Sequence, residues 1–246
     1  MPSAPVDFSK TFAIFLDFDG TLVDLAPRPD AVQVSDTLRT LVASLSEAAG
    51  GALAIVTGRE IAVIDTFLSP LTLPVAGLHG AERRGSDGRL ARLTPDRPAL
   101  DTMRERLADF ASQHQGVLLE DKGLCLALHT RARPELMPAT ESVVATAMAP
   151  FSDRFEILLG KQVAEIRPRG IDKGRAIAAF LAEPPFRGRR PIFVGDDRTD
   201  EPGFAAAEAA GGFGIKIGPG ETGARYRLGS VNALHGWLAS SFEVLA

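Results

Sequence analysis

Two carboxylates separated by one residue follow a short apolar run near the start of the chain. The run at 12–16 is typical of a buried parallel strand, and Asp17, Asp19 and Gly20 come after it. In an α/β sheet, ligands bind at the carboxyl ends of the strands. Two acidic side chains there repel each other unless a cation or a proton lies between them, and no Lys or Arg is adjacent in sequence. The pair therefore indicates a bound metal ion.

Polar residues also end two later apolar runs. They are Thr57, Gly58 and Arg59 after the first run, and Asp196, Asp197 and Asp200 after the second. Lys173 begins a predicted helix, where the helix dipole disfavours a cation unless an anion lies nearby. Each feature is weak alone, because Thr-Gly is common in turns and acidic loops and lysines are usually solvated. In a parallel sheet, however, the strand ends would converge at one edge.

Together these residues would supply what phosphoryl transfer needs. Asp17 would be the nucleophile that forms an aspartyl-phosphate. Asp19 would protonate the leaving oxygen and then take a proton from the attacking water. Asp17, Asp196 and a backbone carbonyl would hold a hard cation, for which we predict Mg²⁺ because it prefers oxygen ligands.

The other residues are predicted to act around the metal and the phosphate. Their expected roles are water orientation or direct metal ligation for Asp197 and Asp200, contact with the phosphoryl oxygens for Thr57 and Lys173, close backbone approach for Gly20, and completion of the substrate-binding loop for Gly58 and Arg59. For Arg59, support of the loop or of the following helix start is favoured over chemistry.

The elements that must position these residues alternate between strand and helix. This alternation predicts an α/β fold with a doubly wound parallel, Rossmann-like core. Between its halves, the pattern reads helix–strand–strand twice, which predicts an inserted αββαββ cap domain. The predicted boundaries are 1–82 and 167–246 for the discontinuous core and 83–166 for the cap.

Four segments carry a family resemblance. DFDGTLVD, VTGR, the lysine of IDKG and GDDRTDE, in this order, resemble the four signatures of the haloacid-dehalogenase superfamily of phosphohydrolases. The αββαββ insert resembles the larger cap type of that superfamily. GLHGAERR, EDKGLCLALHTR, KQVAEIRPRGIDKGRAI and ARYRLGSVNALHGWL are similar to the trehalose-6-phosphate phosphatase family, and this resemblance covers almost the whole chain.

The resemblance implies a Mg²⁺-dependent enzyme that releases trehalose from trehalose 6-phosphate, with a cap that closes over the disaccharide. It assigns the nucleophile to Asp17, the acid/base to Asp19, the metal to Asp17, Asp19 and Asp196, the phosphate contacts to Thr57 and Lys173, and the sugar contacts to Glu120, Lys122 and Glu165. A surface ion pair would explain Glu120 and Lys122 equally well. Glu165 lies between apolar residues in a strand, which favours sugar contact.

Composition argues against several other classes. The 246 residues have a formal net charge of −4 and no long basic run, so a nucleic-acid partner is not expected. No apolar run approaches a membrane span and no signal peptide is recognisable, so a soluble cytoplasmic protein is expected. The single Cys125 excludes an intramolecular disulfide. The oligomeric state stays open, with a monomer as the default.

Two other functions remain open at the level of sequence. The same core could serve another sugar phosphate, as a phosphatase or a phosphomutase. A protein with this fold could also bind a sugar phosphate without turning it over, as a sensor. The intact acidic pair, threonine and lysine favour the enzyme, because a sensor would not require the nucleophile.

Overall fold

A computed structural model describes residues 11–26 and 28–243. Its strands are β1 (Phe12–Leu16), β2 (Leu53–Val56), β3 (Val75–Gly77), β4 (Glu82–Arg84), β5 (Leu90–Arg92), β6 (Leu118–Asp121), β7 (Leu126–His129), β8 (Phe155–Gly160), β9 (Val163–Pro168), β10 (Arg190–Gly195), β11 (Phe213–Ile217) and β12 (Tyr226–Leu228). Its α-helices are α1 (Asp36–Ala48), α2 (Ile61–Leu68), α3 (Arg97–Gln113), α4 (Met137–Met148), α5 (Lys173–Leu181), α6 (Glu201–Ala209) and α7 (Val231–Glu243).

The described residues form two compact units. The first comprises 11–26, 30–91 and 172–243, and the second comprises 28–29 and 92–171. The second unit is thus largely an insertion within the sequence of the first. Among the described residues, no helix has the length and apolar character that crossing a membrane requires.

The first unit is built on an eight-stranded sheet with the order β12-β11-β10-β1-β2-β3-β4-β5. The strands from β12 to β3 are parallel, and β4 pairs with β3 in the antiparallel direction. The sequence moves outward from β1 in both directions, which is the doubly wound arrangement. The predicted α/β class with a parallel, doubly wound core is therefore confirmed.

Alternate residues of β1 supply the two faces of this sheet. Ile14 and Leu16 pack in a cluster with α1, α2 and α7, whereas Ala13 and Phe15 pack with α5 and α6. All five residues of β1 are buried, because helices cover both faces. The central strand is consequently fixed in register, and so are the residues that follow it.

The second unit has the predicted order of helix, strand, strand, repeated once. Its four strands form a sheet with the order β6-β7-β9-β8, in which all neighbours are antiparallel. One face of this sheet packs against α3 and α4 through a separate apolar cluster that includes Leu107, Leu126, Val144 and Ile166. The unit therefore has a hydrophobic core of its own.

The structure differs from the sequence-based prediction at the edges of the insert. The predicted boundary at 83 cuts through β4, but β4 and β5 extend the first sheet beyond β3, so the second unit begins at Arg92. It ends at Ile171 rather than at 166, because β9 continues to Pro168. Helix α6 and the short strand β12 are not among the predicted elements.

Candidate active site

Parallel pairing brings the ends of β1, β2 and β10 to one edge of the first sheet. Leu16 pairs with Val194 on one side and with Ile55 on the other. The backbone N–H of Asp17 donates to the carbonyl of Val194 at 2.9 Å, which continues the ladder by one residue. The residues after these three strands therefore lie at the same edge.

Lys173 is inserted among the carboxylates at this edge. Its ammonium donates to Oδ1 of Asp17 and to Oδ1 of Asp200, at 2.6 Å each, and its side chain is 3% exposed. Lys173 is the first residue of α5, and Asp172 caps that helix by accepting from the N–H of Arg175. The cation at a helix start is thus compensated by anions that lie 156 and 27 residues away in the sequence.

The carboxylate of Asp200 builds the loop that follows β10. Its Oδ2 accepts hydrogen bonds from the backbone N–H groups of Asp196 and Asp197, both at 2.8 Å. Asp197 in turn caps the short helical turn Arg198–Asp200 through its own side chain. Asp200 is fully buried, so the shape of this loop depends on a carboxylate whose two oxygens both accept hydrogen bonds.

Three buried carboxylates converge here. One oxygen from each of Asp17, Asp196 and Asp200 lies within 4.8 Å of the others. Burial raises the pKa of the Asp17 carboxyl well above its ordinary value, and the negative charges of Asp200 and Asp196 add to this, while Lys173 opposes it. A hard divalent cation fits this set, because the donors are oxygens and three carboxylates converge around Lys173.

Gly20 makes room for this cluster. A Cβ at Gly20 would lie 2.3 Å from a carboxylate oxygen of Asp196, and the backbone φ of +79° is one that L side chains rarely adopt. Thr21, which the sequence analysis did not single out, donates from its hydroxyl to Oδ2 of Asp17 at 3.2 Å. Gly20, which was predicted to lie next to the phosphate, thus also leaves the space that the Asp196 carboxylate occupies.

Asp19 faces a different partner from Asp17. Both of its oxygens accept from the guanidinium of Arg59, from Nε at 2.6 Å and from Nη2 at 2.7 Å. The side chain of Asp19 is therefore not part of the cluster of three carboxylates found among the described residues. Its predicted participation in metal binding stays a prediction, because the direction of the carboxylate does not bear on a backbone ligand.

The Thr57–Gly58 loop is held by the segment after β3. Thr57 is buried, and its hydroxyl accepts from the N–H of Arg59 at 3.2 Å. The N–H of His79 donates to the carbonyl of Thr57, and a Cβ at Gly58 would lie 2.8 Å from Nε2 of His79. Leu78 and His79 both have positive φ, a strained backbone that often accompanies functional sites.

A model of a known protein family matches most of the chain. The match covers residues 15–232 and describes the family as trehalose-phosphatase. The chain belongs to the trehalose-phosphatase family. It is accordingly a phosphoric monoester hydrolase.

Curated relatives of this trehalose-phosphatase chain are similar over most of their length. A probable trehalose-phosphate phosphatase of Sinorhizobium fredii is 44% identical, over 93% of this chain and 87% of its own. A trehalose-6-phosphate phosphatase of Escherichia coli is 41% identical, over 94% of this chain and 87% of its own.

Solved structures support the same assignment. A trehalose-6-phosphate phosphatase related protein shares 29% identity with a TM-score of 0.75, over 92% of this chain and 95% of its own. A haloalkanoate-superfamily phosphatase from Bacteroides thetaiotaomicron shares 17% identity with a TM-score of 0.62, over 99% and 98% of the two chains. The latter likeness concerns the fold alone, and it agrees with the predicted α/β fold class.

The second unit of the trehalose-phosphatase chain carries a charged cluster on its sheet. Ala127 pairs with Glu120 on one side and with Glu165 on the other, so both carboxylates point to the same face. The ammonium of Lys122 donates to Oε2 of Glu165 at 2.9 Å and lies 3.9 Å from Oε2 of Glu120. Nε2 of His129 is 2.7 Å from the same oxygen of Glu120. The three residues predicted to contact sugar therefore form one cluster.

Electrostatic coupling is strong in this second cluster. Burial lowers the pKa of the Lys122 ammonium, but the negative charges of Glu165 and Glu120 have the larger effect. The pKa of Lys122 is therefore raised above its ordinary value. Burial likewise raises the pKa of Glu120, but the hydrogen bond from His129 and the charge of Lys122 prevail and lower it below its usual value. The ion pair considered for Glu120 and Lys122 is present, with the Glu120 side chain 35% exposed, but Lys122 lies closer to Glu165, whose side chain is 6% exposed.

Lys216 is a site residue that the sequence analysis missed. It lies in β11 among apolar residues, is 4% exposed, and its ammonium donates to the backbone carbonyl of Asp196. A lysine within the run FGIKI was the visible signal, because a buried lysine requires a polar partner. Lys216 thereby anchors the residue that contributes the third carboxylate.

Proposed function

We propose that this protein hydrolyses trehalose 6-phosphate to trehalose and phosphate in a Mg²⁺-dependent reaction through an aspartyl-phosphate intermediate. The observation that carries the proposal is the buried cluster of Asp17, Asp196, Asp200 and Lys173 at one strand edge, in a chain of the trehalose-phosphatase family. The relatives that are 41% and 44% identical are named for the phosphatase activity on trehalose phosphate.

Asp17 is the proposed nucleophile. One of its carboxylate oxygens forms a bond to phosphorus while the bond from phosphorus to the sugar oxygen breaks. Asp19 gives a proton to that leaving oxygen, and trehalose departs. Asp19 then takes a proton from a water molecule as that water attacks the aspartyl-phosphate, which restores Asp17 and releases phosphate. Atoms and charges balance without any other reactant.

Asp17, Asp196 and Asp200 would hold the cation. When bound, Mg²⁺ supplies positive charge that stabilises the charge on the transferring phosphoryl group. Asp200 fixes the loop, and Asp197 caps the turn behind it. Asp19, to which the family resemblance also assigns the metal, and a backbone carbonyl would complete the metal site, while the carboxylate of Asp19 itself pairs with Arg59.

The remaining phosphate contacts are assigned to Thr57, Gly58, Gly20 and Lys173. The hydroxyl of Thr57 and the ammonium of Lys173 stabilise the non-transferring oxygens as charge develops on them. The glycines leave the backbone accessible, although Gly20 also gives space to Asp196.

Recognition of the disaccharide is assigned to Glu120, Lys122 and Glu165. Trehalose carries no charge and many hydroxyl groups, so carboxylates can accept its hydrogen bonds and an ammonium can donate to its oxygens. The mutual neutralisation of Lys122 and Glu165 suits an uncharged ligand.

The test is phosphate release from a panel of substrates with Mg²⁺ and with a chelator. The panel contains trehalose 6-phosphate, sucrose 6-phosphate, glucose 6-phosphate, a phosphoglycerate and p-nitrophenyl phosphate. We expect trehalose 6-phosphate to have the highest kcat/KM, with activity lost on chelation and restored by Mg²⁺. Preference for another sugar phosphate, isomerisation without phosphate release, or tight binding without hydrolysis would each overturn the proposal in favour of a different phosphatase, a mutase or a sensor.

A further inference from the structure

A bidentate ion pair connects Asp19, which lies in the same motif as the candidate nucleophile, to Arg59 in the loop after β2. The guanidinium of Arg59 donates from Nε and Nη2 to the two oxygens of Asp19, at 2.6 and 2.7 Å. The side chains are 13% and 26% exposed, so neither is a freely solvated surface group. A bidentate pair of this kind fixes the orientation of a carboxylate as well as its position.

The guanidinium itself is fixed by aromatic rings. Its central carbon lies 5.9 Å from the ring centre of Phe18 and 5.1 Å from that of Phe67. The two rings are stacked on each other, with centres 5.6 Å apart and planes 12° apart. Arginine over aromatic faces is stabilised by cation–π attraction, so the rings provide a preformed seat for Arg59.

The backbone of Arg59 is also held at both of its polar groups. Its N–H donates to the hydroxyl of Thr57, and its carbonyl accepts from the N–H of Leu78. Arg59, which holds Asp19, is therefore connected to the Thr57–Gly58 loop and to the strained segment after β3. An arginine that only supported a helix start would not require this convergence on one carboxylate.

We propose that Arg59 is the positioning residue for Asp19 and acts on the reaction through that carboxylate, not by binding the phosphoryl group. The inference rests on the proposed acid/base role of Asp19. The carboxylates of Asp17, Asp196 and Asp200 already converge, and an uncompensated Asp19 carboxylate would be a fourth negative charge that they repel. Arg59 compensates the charge of Asp19 while that carboxylate is ionised and restricts it to one direction. When Asp19 is protonated, one of the two hydrogen bonds is given up for the proton, and the other still holds the group in place for proton delivery.

The test compares Arg59→Ala, Asp19→Asn and the double variant on two substrates. Trehalose 6-phosphate has a sugar alkoxide that must be protonated on leaving, whereas p-nitrophenolate leaves without a proton. We expect Arg59→Ala to lower kcat on trehalose 6-phosphate by about 10- to 100-fold with little change in KM, and to lower it far less on p-nitrophenyl phosphate. In the Asp19→Asn background, Arg59→Ala should cost less than about twofold more.

Two further variants separate positioning from folding. Arg59→Lys keeps the charge but cannot form the bidentate pair, so its loss should be intermediate while its melting temperature stays near that of the wild type. Arg84 forms a matched bidentate pair with Asp65, at 2.7 and 2.6 Å, in the same unit. Arg84→Ala should change kcat by less than about twofold on both substrates.

Some outcomes would overturn the inference. An increase of KM on both substrates after Arg59→Ala would show that Arg59 binds the phosphoryl group, and losses that multiply in the double variant would show that it acts independently of Asp19. Wild-type rates in Asp19→Asn alone would instead reject the proposed role of Asp19. Failure of the proposed function and failure of this inference are therefore distinguishable.

Discussion

Each unit of the molecule buries one lysine between two carboxylates, but the groups that surround the two lysines differ. In the first unit, Lys173 donates to Asp17 and Asp200, and the carboxylate of Asp196 lies within 4.8 Å as a third. In the second unit, Lys122 lies 2.9 Å from Glu165 and 3.9 Å from Glu120. There, His129 bonds to Glu120 in place of any third carboxylate.

The difference matches the two proposed roles, chemistry at the first cluster and sugar recognition at the second. Excess negative charge that is buried is unfavourable until a cation arrives, so the first cluster suits Mg²⁺ and, through it, an anionic phosphate. In the second cluster each side chain already has a protein partner, since Lys122 bonds to Glu165 and His129 bonds to Glu120, and such groups can exchange hydrogen bonds with a neutral ligand. A buried lysine alone thus indicates neither metal binding nor sugar recognition. The groups that surround the lysine distinguish the two clusters.

The largest effect is expected at the first cluster, from Asp17→Asn. Loss of the nucleophile should lower kcat on the order of 10⁴-fold or more, as for other enzymes that lose the attacking group. The melting temperature should not fall, because the change removes one charge from a crowded acidic site. Phosphate release and a thermal melt measure the two effects. A variant that hydrolyses substrate at the normal rate would reject the mechanism.

The comparison is sharpened by Lys173→Met and Lys122→Met, which remove the two lysines in turn. Each leaves buried carboxylates uncompensated, so we expect each to lower the free energy of unfolding by about 3 kcal/mol without metal. Mg²⁺ should stabilise Lys173→Met more than it stabilises the wild type, because the cation supplies the missing charge. It should stabilise Lys122→Met and the wild type equally. Urea unfolding with and without Mg²⁺ measures these differences in the free energy of unfolding. If Mg²⁺ stabilised both variants equally, the proposed difference between the two clusters would be contradicted.

A smaller and more selective effect is expected from Glu165→Ala. If Glu165 binds sugar hydroxyls, kcat/KM on trehalose 6-phosphate should fall by about 10- to 100-fold, which corresponds to the loss of a hydrogen bond to a charged group. Activity on p-nitrophenyl phosphate should stay near normal. Glu156→Ala provides a matched control, because Glu156 also pairs with a cation, Arg167, on the same sheet. If Glu165→Ala impairs both substrates equally, its role in sugar recognition is excluded.

The smallest effect is expected from Glu120→Gln. The pKa of Glu120 is lowered in the folded protein, so its ionised form contributes stability above its ordinary pKa, and this contribution is lost as the pH falls through the lower folded value. Because the side chain is 35% exposed, the wild type should exceed the variant by less than about 1 kcal/mol at neutral pH. The difference should shrink as the pH falls below the ordinary glutamate pKa of about 4.3. Unfolding measured from pH 3 to 7 tests this, and a gap that widens on acidification would have the wrong sign.

Sequence alone predicted the class of the first unit and most of the residues that converge at one edge of its sheet. Short apolar runs that end in Asp17, Thr57 and Asp196 already implied a parallel sheet, because such runs are buried on both faces and their ends share an edge. Lys173 was identifiable because a cation at a helix start requires an anion. These inferences rely on local pattern and on one general property of sheets, so they do not depend on atomic detail.

Only the tertiary structure decided how the side chains are shared among partners. The sequence offered Asp17 and Asp19 as an equivalent pair, but Lys173 pairs with the first and Arg59 with the second. Gly20 was assigned to the phosphate, yet its missing side chain leaves space for Asp196. The boundary of the insert also shifted, because strands that read as part of the cap extend the first sheet. The pairings of these side chains depend on contacts between residues 27 to 179 positions apart. The energies of these contacts arise from burial and charge, which no local pattern encodes.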